Sequence, residues 1–209
     1  MRQRQFIDTH KAITPLVVLG LMAWYGQWHS MTAWVYLALH GSYGMLWLIK
    51  SRTFPDRQWD QDCSLLYGLL IWATLTLYWI APWMITAWDI QAPPWLIGIC
   101  TSAFVFGVFL HFTADMQKHN SLALRPGLIT TGLWSRTRNP NYLGELLIYA
   151  GFTSLAMHWL PLTALAAVVL LLWFPNMLRK DKSLSRYTEF AEYKARSGRL
   201  LPKLFRGAL

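Results

Sequence analysis

Six stretches of the chain are apolar over a length that reaches or approaches the width of a lipid bilayer, and polar segments separate them. A helix of about 20 mostly apolar residues spans the roughly 30 Å hydrocarbon layer. The predicted spans run from Ala12 to Trp28, Met31 to Ile49, Ser64 to Trp83, Trp95 to Phe112, Tyr142 to Met157 and Leu160 to Leu178. The fifth is short, so we expect it to be tilted, broken or sheltered by its neighbours. The pattern predicts an all-α, polytopic membrane helix bundle.

The composition agrees with this prediction. Of the 209 residues, 55% are hydrophobic and 13 are Trp, and the mean hydropathy is +0.27, which is too apolar for a soluble domain of this size. The first span lacks the small-residue cleavage pattern of a signal peptide, so we expect it to be retained as an anchor. Cys63 and Cys100 indicate neither a disulfide framework nor a metal motif.

The 19 Lys and Arg residues all fall on one side of the predicted membrane. They lie before span one (Arg2, Arg4, Lys11), after span two (Lys50, Arg52, Arg57), between spans four and five (Lys118, Arg125, Arg136, Arg138) and after span six. Because such residues stay in the cytoplasm during insertion, both termini are predicted cytoplasmic, in a bacterial inner membrane or the endoplasmic reticulum. The net charge of +9 favours anionic lipid or a soluble anionic ligand, and no module that would read nucleic acid is visible.

The two parts of the chain differ in character. Residues 1–113 carry four spans with short links, and we expect them to form the cavity for a lipid substrate. Residues 114–209 interleave two spans with basic segments, and we expect them to bind a cofactor within the same integral domain. The stretch from Lys180 to Arg199 places apolar residues at helical spacing among charges, so it predicts an amphipathic helix at the membrane surface that covers a site.

Three polar clusters in residues 114–209 fall on the predicted cytoplasmic face, where we expect them to converge around one pocket. They comprise Asp115, Lys118 and Arg125; then Arg136, Arg138, Asn141, Tyr142 and Glu145 in the polar cassette (Leu133 to Gly151); then Arg179, Asp181 and Tyr187. Several guanidinium and ammonium groups together suit a polyanionic dinucleotide. S-adenosylmethionine, with one carboxylate and one cation, gives less reason for them. The alternative for any single Lys or Arg is a solvated residue that follows the topology bias.

Polar side chains inside the bundle are the candidates for proton transfer. Tyr43 and His40 lie in span two and Tyr78 in span three, where a phenol or an imidazole can protonate a substrate oxygen. The alternative is that they are interfacial or hydrogen-bonded packing residues. The chain contains no GxGxxG, Walker, HExxH or GxSxG motif and no Cys-rich cluster, which excludes the usual soluble cofactor folds.

The stretch from Gly132 to Glu145, GLWSRTRNPNYLGE, resembles the G-(L/Y)-x-x-x-x-R-(H/N)-P-N-Y-x-G-E signature of the steroid 5-alpha-reductase and sterol reductase families, and more loosely the isoprenylcysteine carboxyl methyltransferases. The stretch from Tyr193 to Pro202 is similar to the ending of that family, and we therefore expect Tyr193 to belong to the cofactor site. Asp115 and Lys118 resemble its (A/S)-(N/D)-x-Q-K stretch, and Arg179 with Asp181 its R-D-(D/E). The resemblance covers about the last 100 residues, and the methyltransferases usually carry an apolar residue in place of Glu145.

The resemblance implies transfer of a hydride from NADPH to a conjugated enone of a lipophilic substrate. It also implies that Asn141 and Glu145 contact the nicotinamide end of the cofactor, and that a bundle tyrosine, Tyr43 first and Tyr78 second, donates a proton to the enone oxygen. Substrate would enter from the lipid and cofactor from the cytoplasm. The alternatives are an S-adenosylmethionine-dependent carboxyl methyltransferase and a non-enzymatic lipid-binding scaffold.

Overall fold

A computed structural model of the chain describes residues 1–203, and this described part is all-helical, without β-strands. The helices are α1 (Gln3–Trp24), α2 (Met31–Thr53), α3 (Leu65–Thr76), α4 (Ile80–Ala87), α5 (Pro94–Leu124), α6 (Pro140–Thr153), α7 (Trp159–Val168), α8 (Phe174–Leu184) and α9 (Phe190–Arg196). A 3-10 turn at Leu77–Trp79 joins α3 to α4, and a π-helical turn at Val169–Trp173 joins α7 to α8. Each of these pairs therefore forms one long helical stretch.

Four helical stretches within residues 1–203 are long and apolar enough to cross a membrane: Gln3–Trp24, Leu65–Ala87, Pro94–Leu124 and Trp159–Leu184. They correspond to the predicted spans one, three, four and six. The second predicted span lies in the 23-residue helix α2. The fifth lies in α6, whose 14 residues extend for only about 21 Å at 1.5 Å per residue. The remaining crossings and the side on which the termini lie stay predictions.

The chain forms two compact units, each described here by itself. The first unit holds Met1–Val105 and Ile148–Leu165, and the second holds Phe106–Leu147 and the chain from Ala166 onward. Helix α6 contributes its first half to the second unit and its second half to the first. The functional division between residues 113 and 114 predicted from the sequence stays a prediction.

In the first unit, α1 and α2 approach each other closely at Gly44. A Cβ atom at this position would lie 2.7 Å from the backbone oxygen of Lys11, so only glycine allows this contact. Asp8 of α1 also binds α2, because its carboxylate accepts hydrogen bonds from Trp47 Nε1 at 3.1 Å and from Ser51 Oγ at 2.8 Å. The close approach places Lys11 inside the packed helices, where it is 2% exposed.

In the second unit, α5 and α6 approach each other at Gly144. A Cβ atom there would lie 2.4 Å from the backbone nitrogen of His111 and 2.7 Å from the backbone oxygen of Gly107. Replacing hydrogen by methyl would therefore force the two backbones apart. This contact fixes the start of α6, which carries most of the cassette, against the middle of α5 around Gly107 and His111.

The prediction of one amphipathic helix from Lys180 to Arg199 is wrong in its extent. Helix α8 ends at Leu184, turns follow through Glu189, and the seven-residue helix α9 ends at Arg196, after which Ser197 is extended. The physical reason is packing, because Phe190 and Tyr193 of α9 and Ser197 just after it are buried, and none of them lies on a continuation of α8. A position of this segment at the membrane surface stays a prediction.

Candidate functional site

A tight turn at Gly132, held by a side chain of α5, comes directly before the cassette. Gly132 has a φ of +58°, a left-handed conformation that favours glycine. A Cβ there would also lie 2.5 Å from Nε2 of Gln117. The Gln117 amide donates to the Thr131 oxygen at 2.9 Å and accepts from the Leu133 nitrogen at 3.2 Å. Gln117, the glutamine of the (A/S)-(N/D)-x-Q-K stretch, thus stabilises the turn that leads into the cassette.

Arg138 and Asp181, both predicted to bind the cofactor, form a buried ion pair with each other. Arg138 Nε donates to one carboxylate oxygen at 2.9 Å and Nη2 donates to the other at 3.0 Å. Nη1 donates to the backbone oxygen of Ser197 at 2.6 Å. The side chains are only 5% and 8% exposed. The guanidinium is therefore engaged on all three nitrogens by the protein itself.

The segment that follows α9 pairs with the cassette through its backbone. Thr137 and Gly198 form an isolated parallel bridge. The Arg138 nitrogen donates to the Gly198 oxygen at 2.8 Å, and the Gly198 nitrogen donates to the Arg136 oxygen at 2.9 Å. Asn139 adds a side-chain contact, since its Nδ2 donates to the Arg199 oxygen at 2.8 Å. The family-like ending of the chain therefore lies directly against the cassette.

Tyr193, also predicted to bind the cofactor, points its hydroxyl at the cassette backbone. The hydroxyl donates to the Trp134 oxygen at 2.6 Å, and the residue is 2% exposed. Burial raises the pKa of Tyr193 to about 12, because a phenolate would be poorly solvated there. Tyr193 thus acts as a neutral donor that positions the cassette.

Two basic residues, Lys180 and Arg199, also contact Arg138, Asn139 or Asp181, and the sequence did not predict them as site residues. Lys180 Nζ donates to the Arg138 oxygen at 2.8 Å and to Asn139 Oδ1 at 3.0 Å, and it lies 4.3 Å from the centre of a Trp134 ring. Arg199 Nε donates to Asp181 Oδ2 at 3.1 Å. Lys180 adjoins Asp181 in the sequence and Arg199 lies in the family-like ending, so proximity to those motifs was the available signal.

A second group of predicted residues meets at His111 of α5. Its Nδ1 lies 3.1 Å from the backbone oxygen of Asn141, and its Nε2 lies 3.9 Å from a carboxylate oxygen of Asp115. His111 is 3% exposed and Asp115 is 6% exposed. Within residues 1–203, the buried Oδ1 of Asn141 accepts no hydrogen bond. The structure thus brings Asp115 and Asn141 to one histidine and leaves an acceptor available beside them.

The other predicted cofactor residues of the second unit lie at differing depths. Lys118, Tyr142, Glu145 and Tyr187 are half-buried, whereas Arg125, Arg136 and Arg179 are exposed. The Tyr142 ring centre lies 5.4 Å from that of Trp173, and Arg179 Nη2 donates to Asn176 Oδ1 at 2.5 Å. The described contacts therefore join some of the predicted residues directly, while the convergence of all of them stays a prediction.

The three predicted proton donors lie in the first unit and are all buried. The Tyr36 hydroxyl donates to the Tyr78 backbone oxygen at 3.0 Å. It also lies 2.9 Å from His40 Nδ1. The Tyr78 ring stacks on Tyr149 with centres 4.0 Å apart. The ring of Tyr43 faces Lys11 Nζ, 4.0 Å from its centre. These residues thus form one buried aromatic and polar cluster.

Lys11 and Tyr149 are the members of this cluster that the sequence prediction missed. Lys11 Nζ and the Tyr149 hydroxyl are 2.7 Å apart, and the two residues are 2% and 1% exposed. The prediction placed Lys11 on the cytoplasmic flank of span one, whereas it lies in the middle of α1. The available signal was on α6, where Tyr142, Glu145 and Tyr149 are spaced by three and four residues and share a helix face.

The comparisons with known proteins identify a family. No curated protein and no solved structure matches the chain significantly. Residues 1–197 match the family described as "Protein of unknown function (DUF1295)". Since the match covers nearly the whole chain, this protein belongs to the DUF1295 family.

Proposed function

We propose that this protein is a membrane oxidoreductase of the steroid 5-alpha-reductase type, which transfers a hydride from NADPH to the conjugated enone of a steroid-like or other lipophilic substrate. The observation that carries the proposal is the buried, unbonded Oδ1 of Asn141 next to His111 and Asp115. A buried acceptor without a donor costs free energy. The carboxamide of a nicotinamide carries an N–H group that satisfies such an acceptor.

The residues that would hold the cofactor divide by their contacts. Asn141 would accept from the carboxamide, with Glu145 one turn further along α6. The exposed Arg125, Arg136 and Arg179 would attract the phosphates. A bound NADPH would supply the hydride. Arg138 and Asp181 would act as positioning residues, because each already binds the other.

The alternative function is that of an S-adenosylmethionine-dependent carboxyl methyltransferase of the isoprenylcysteine type. One observation favours it: the pairing of Arg138 with Asp181 removes a basic group from those available to phosphate. Glu145, at a position where those methyltransferases usually carry an apolar residue, favours the reductase. The proposed site opens to the cytoplasm in either case.

Ligand-induced thermal stabilisation of the detergent-purified protein tests the proposal. A ligand at 100 times its Kd stabilises the folded state by about 2.7 kcal/mol. We expect NADPH to stabilise the wild type and Asn141→Ala to lose this effect. Asn120→Ala, an exposed position on α5, is the matched control and should retain it. Stabilisation by S-adenosylmethionine alone would replace the proposal by the methyltransferase, and no response to either ligand would refute both.

A further inference from the structure

His10 of α1 is a buried polar residue of the first unit whose ring nitrogens are unsatisfied. The residue is 1% exposed, and within residues 1–203 neither Nδ1 nor Nε2 makes a hydrogen bond. A neutral imidazole has one N–H donor and one acceptor nitrogen, and burying such groups without partners costs free energy. The side chain therefore keeps both kinds of hydrogen-bonding capacity for a ligand.

Two tryptophans of the same unit enclose the imidazole. Trp79 stacks on His10 with ring centres 4.7 Å apart and an interplanar angle of 17°, and Trp72 meets it edge-on at 5.1 Å. The two indoles also contact each other, with ring centres 5.3 Å apart. His10 is thus the residue of this aromatic cluster that offers both a donor and an acceptor.

Trp79 is the fixed member of the cluster. Its Nε1 donates to Thr14 Oγ1 at 3.0 Å, and Thr14 Oγ1 in turn donates to the backbone oxygen of His10 at 2.8 Å. Because Thr14 engages the indole N–H, Trp79 does not supply a donor to the acceptor nitrogen of His10. These contacts hold the imidazole in place and leave its nitrogens unsatisfied.

Trp72 is held less firmly. The described contacts of its side chain are ring contacts, to His10 and to Trp79, and the residue is half-buried. Helix α3, on which it lies, buries only Gly68 among its 12 residues. Segments with few buried contacts open at a lower free energy than the rest of a structure. Trp72 is therefore the member of the cluster that can move most easily.

The side of α3 next to Trp72 is apolar. Leu65, Leu69 and Trp72 are spaced by four and three residues and share a helix face, and both leucines are exposed. Helix α3 belongs to the stretch Leu65–Ala87, which is long and apolar enough to cross a membrane. A molecule that approaches Trp72 from hydrocarbon must be soluble there, which excludes ions. The ligand is therefore lipophilic and carries a neutral polar group.

A hydroxyl is the neutral polar group that suits His10 in either tautomer. It can donate to the acceptor nitrogen or accept from the N–H group, whereas a carbonyl can only accept. A hydroxyl therefore finds a partner at whichever ring nitrogen it reaches.

We propose that His10 binds the hydroxyl group of a lipophilic alcohol, which enters from the lipid between α1 and α3 by displacing Trp72. Trp79 forms the fixed wall of this site, and the apolar body of the alcohol lies along the leucines of α3. The site goes beyond the proposed reductase function, because it requires neither NADPH nor any residue of the second unit.

Binding of dodecanol to the protein in phosphatidylcholine nanodiscs, without NADPH, tests the proposal. Thermal stabilisation at increasing dodecanol content gives an apparent Kd. His10→Phe keeps an aromatic ring and removes both nitrogens, so we expect this Kd to rise about 5-fold or more, the equivalent of one hydrogen bond. Dodecane, which lacks the hydroxyl, should act equally on wild type and variant.

His158→Phe is the matched control in the same unit. His158 also lies against two tryptophans, Trp88 and Trp159, but its Nδ1 accepts a hydrogen bond from the Leu160 nitrogen at 3.1 Å. This variant should bind dodecanol like the wild type. The proposal is overturned if His158→Phe weakens binding as much as His10→Phe does, if the wild type does not bind dodecanol, or if the Kd of His10→Phe stays within about 2-fold of wild type, which is less than a typical hydrogen bond accounts for.

Nitrogen NMR of the wild type with isotope-labelled histidine measures the hydrogen bond directly, and it carries the test if His10→Phe does not fold. The resonance frequency of a ring nitrogen changes when it gains a hydrogen bond. Dodecanol should therefore shift the His10 signals, and dodecane should not. If the His10 signals already indicate a hydrogen bond and do not respond to dodecanol, His10 holds a buried water only and the inference is wrong.

Discussion

Replacement of Arg138 by methionine tests whether this residue belongs to the fold or to a ligand site. Its partner Asp181 is 8% exposed and would keep only Arg199, which is itself 30% exposed. Removing one partner of a buried ion pair costs about 3–5 kcal/mol. Because Asp181 keeps its contact with Arg199, we expect a cost at the lower end of this range. Loss of the hydrogen bond from Arg138 to the Ser197 oxygen adds about 1 kcal/mol. We therefore expect Arg138→Met to lower the free energy of unfolding by about 4 kcal/mol.

Unfolding in mixed detergent and SDS micelles measures this free energy. Arg136→Met is the matched control, because Arg136 is exposed and only two residues away, and its effect should stay within about 0.5 kcal/mol. Replacing both charges, as Arg138→Met with Asp181→Leu, should restore much of the loss, because no buried charge then remains without a partner. If Arg138→Met unfolds like the wild type but no longer responds to NADPH, Arg138 is a ligand contact and its assignment to the fold is wrong.

Three further predictions concern the packing around the two sites and can be measured by the same unfolding assay. Because burial raises the pKa of Tyr193 to about 12, the stability from its neutral hydroxyl is complete below about pH 10 and is lost as the pH rises through 12; Tyr193→Phe should lack this alkaline loss. Gly44→Ala should destabilise the protein by about 1–3 kcal/mol, since the new Cβ would lie 2.7 Å from the backbone oxygen of Lys11, and it should lengthen the contact between Lys11 and Tyr149. The control is Gly20→Ala, which should be neutral or stabilising because nothing lies within 4 Å of its Cβ. Gly144→Ala should destabilise by a similar amount as Gly44→Ala, because backbone atoms of α5 lie 2.4 Å and 2.7 Å from its Cβ; an unchanged melting temperature would show that α5 and α6 are not in contact there.

The helical architecture could be predicted from the sequence because hydropathy is a local property. Four of the six predicted spans lie in stretches that are long and apolar enough to cross a membrane, and the cassette was located by its polar residues alone. The positions at which the helices begin and end were harder to predict. Helix α1 begins at Gln3 instead of near Ala12. Residues elsewhere in the chain cover the two polar residues before Ala12, since the His10 ring packs against Trp72 and Trp79 and Lys11 Nζ lies 2.7 Å from the Tyr149 hydroxyl. A hydropathy pattern contains no information about such contacts.

The pairing inside the candidate site could not be predicted for the same reason. The bond between Arg138 and Asp181 joins residues 43 positions apart, and the bond between Lys11 and Tyr149 joins residues 138 positions apart. Residue type and spacing indicate which groups can carry charge or donate protons. They do not indicate which of these groups neutralise each other.

The contacts suggest why conspicuous charged residues are a poor guide to chemistry in a protein of this kind. A buried charge is costly unless the fold supplies hydrogen-bonding partners, so a buried arginine such as Arg138 is present with a complete set of partners and has little capacity left for a ligand. A group suited to ligand binding differs in keeping a hydrogen-bonding atom without a partner, as Asn141 does with its Oδ1 in the described contacts. By this criterion the number of basic residues in the cassette overstates its affinity for phosphate. We therefore expect Asn141→Ala to affect the response to NADPH more, per unit of lost stability, than removal of the Arg138 charge.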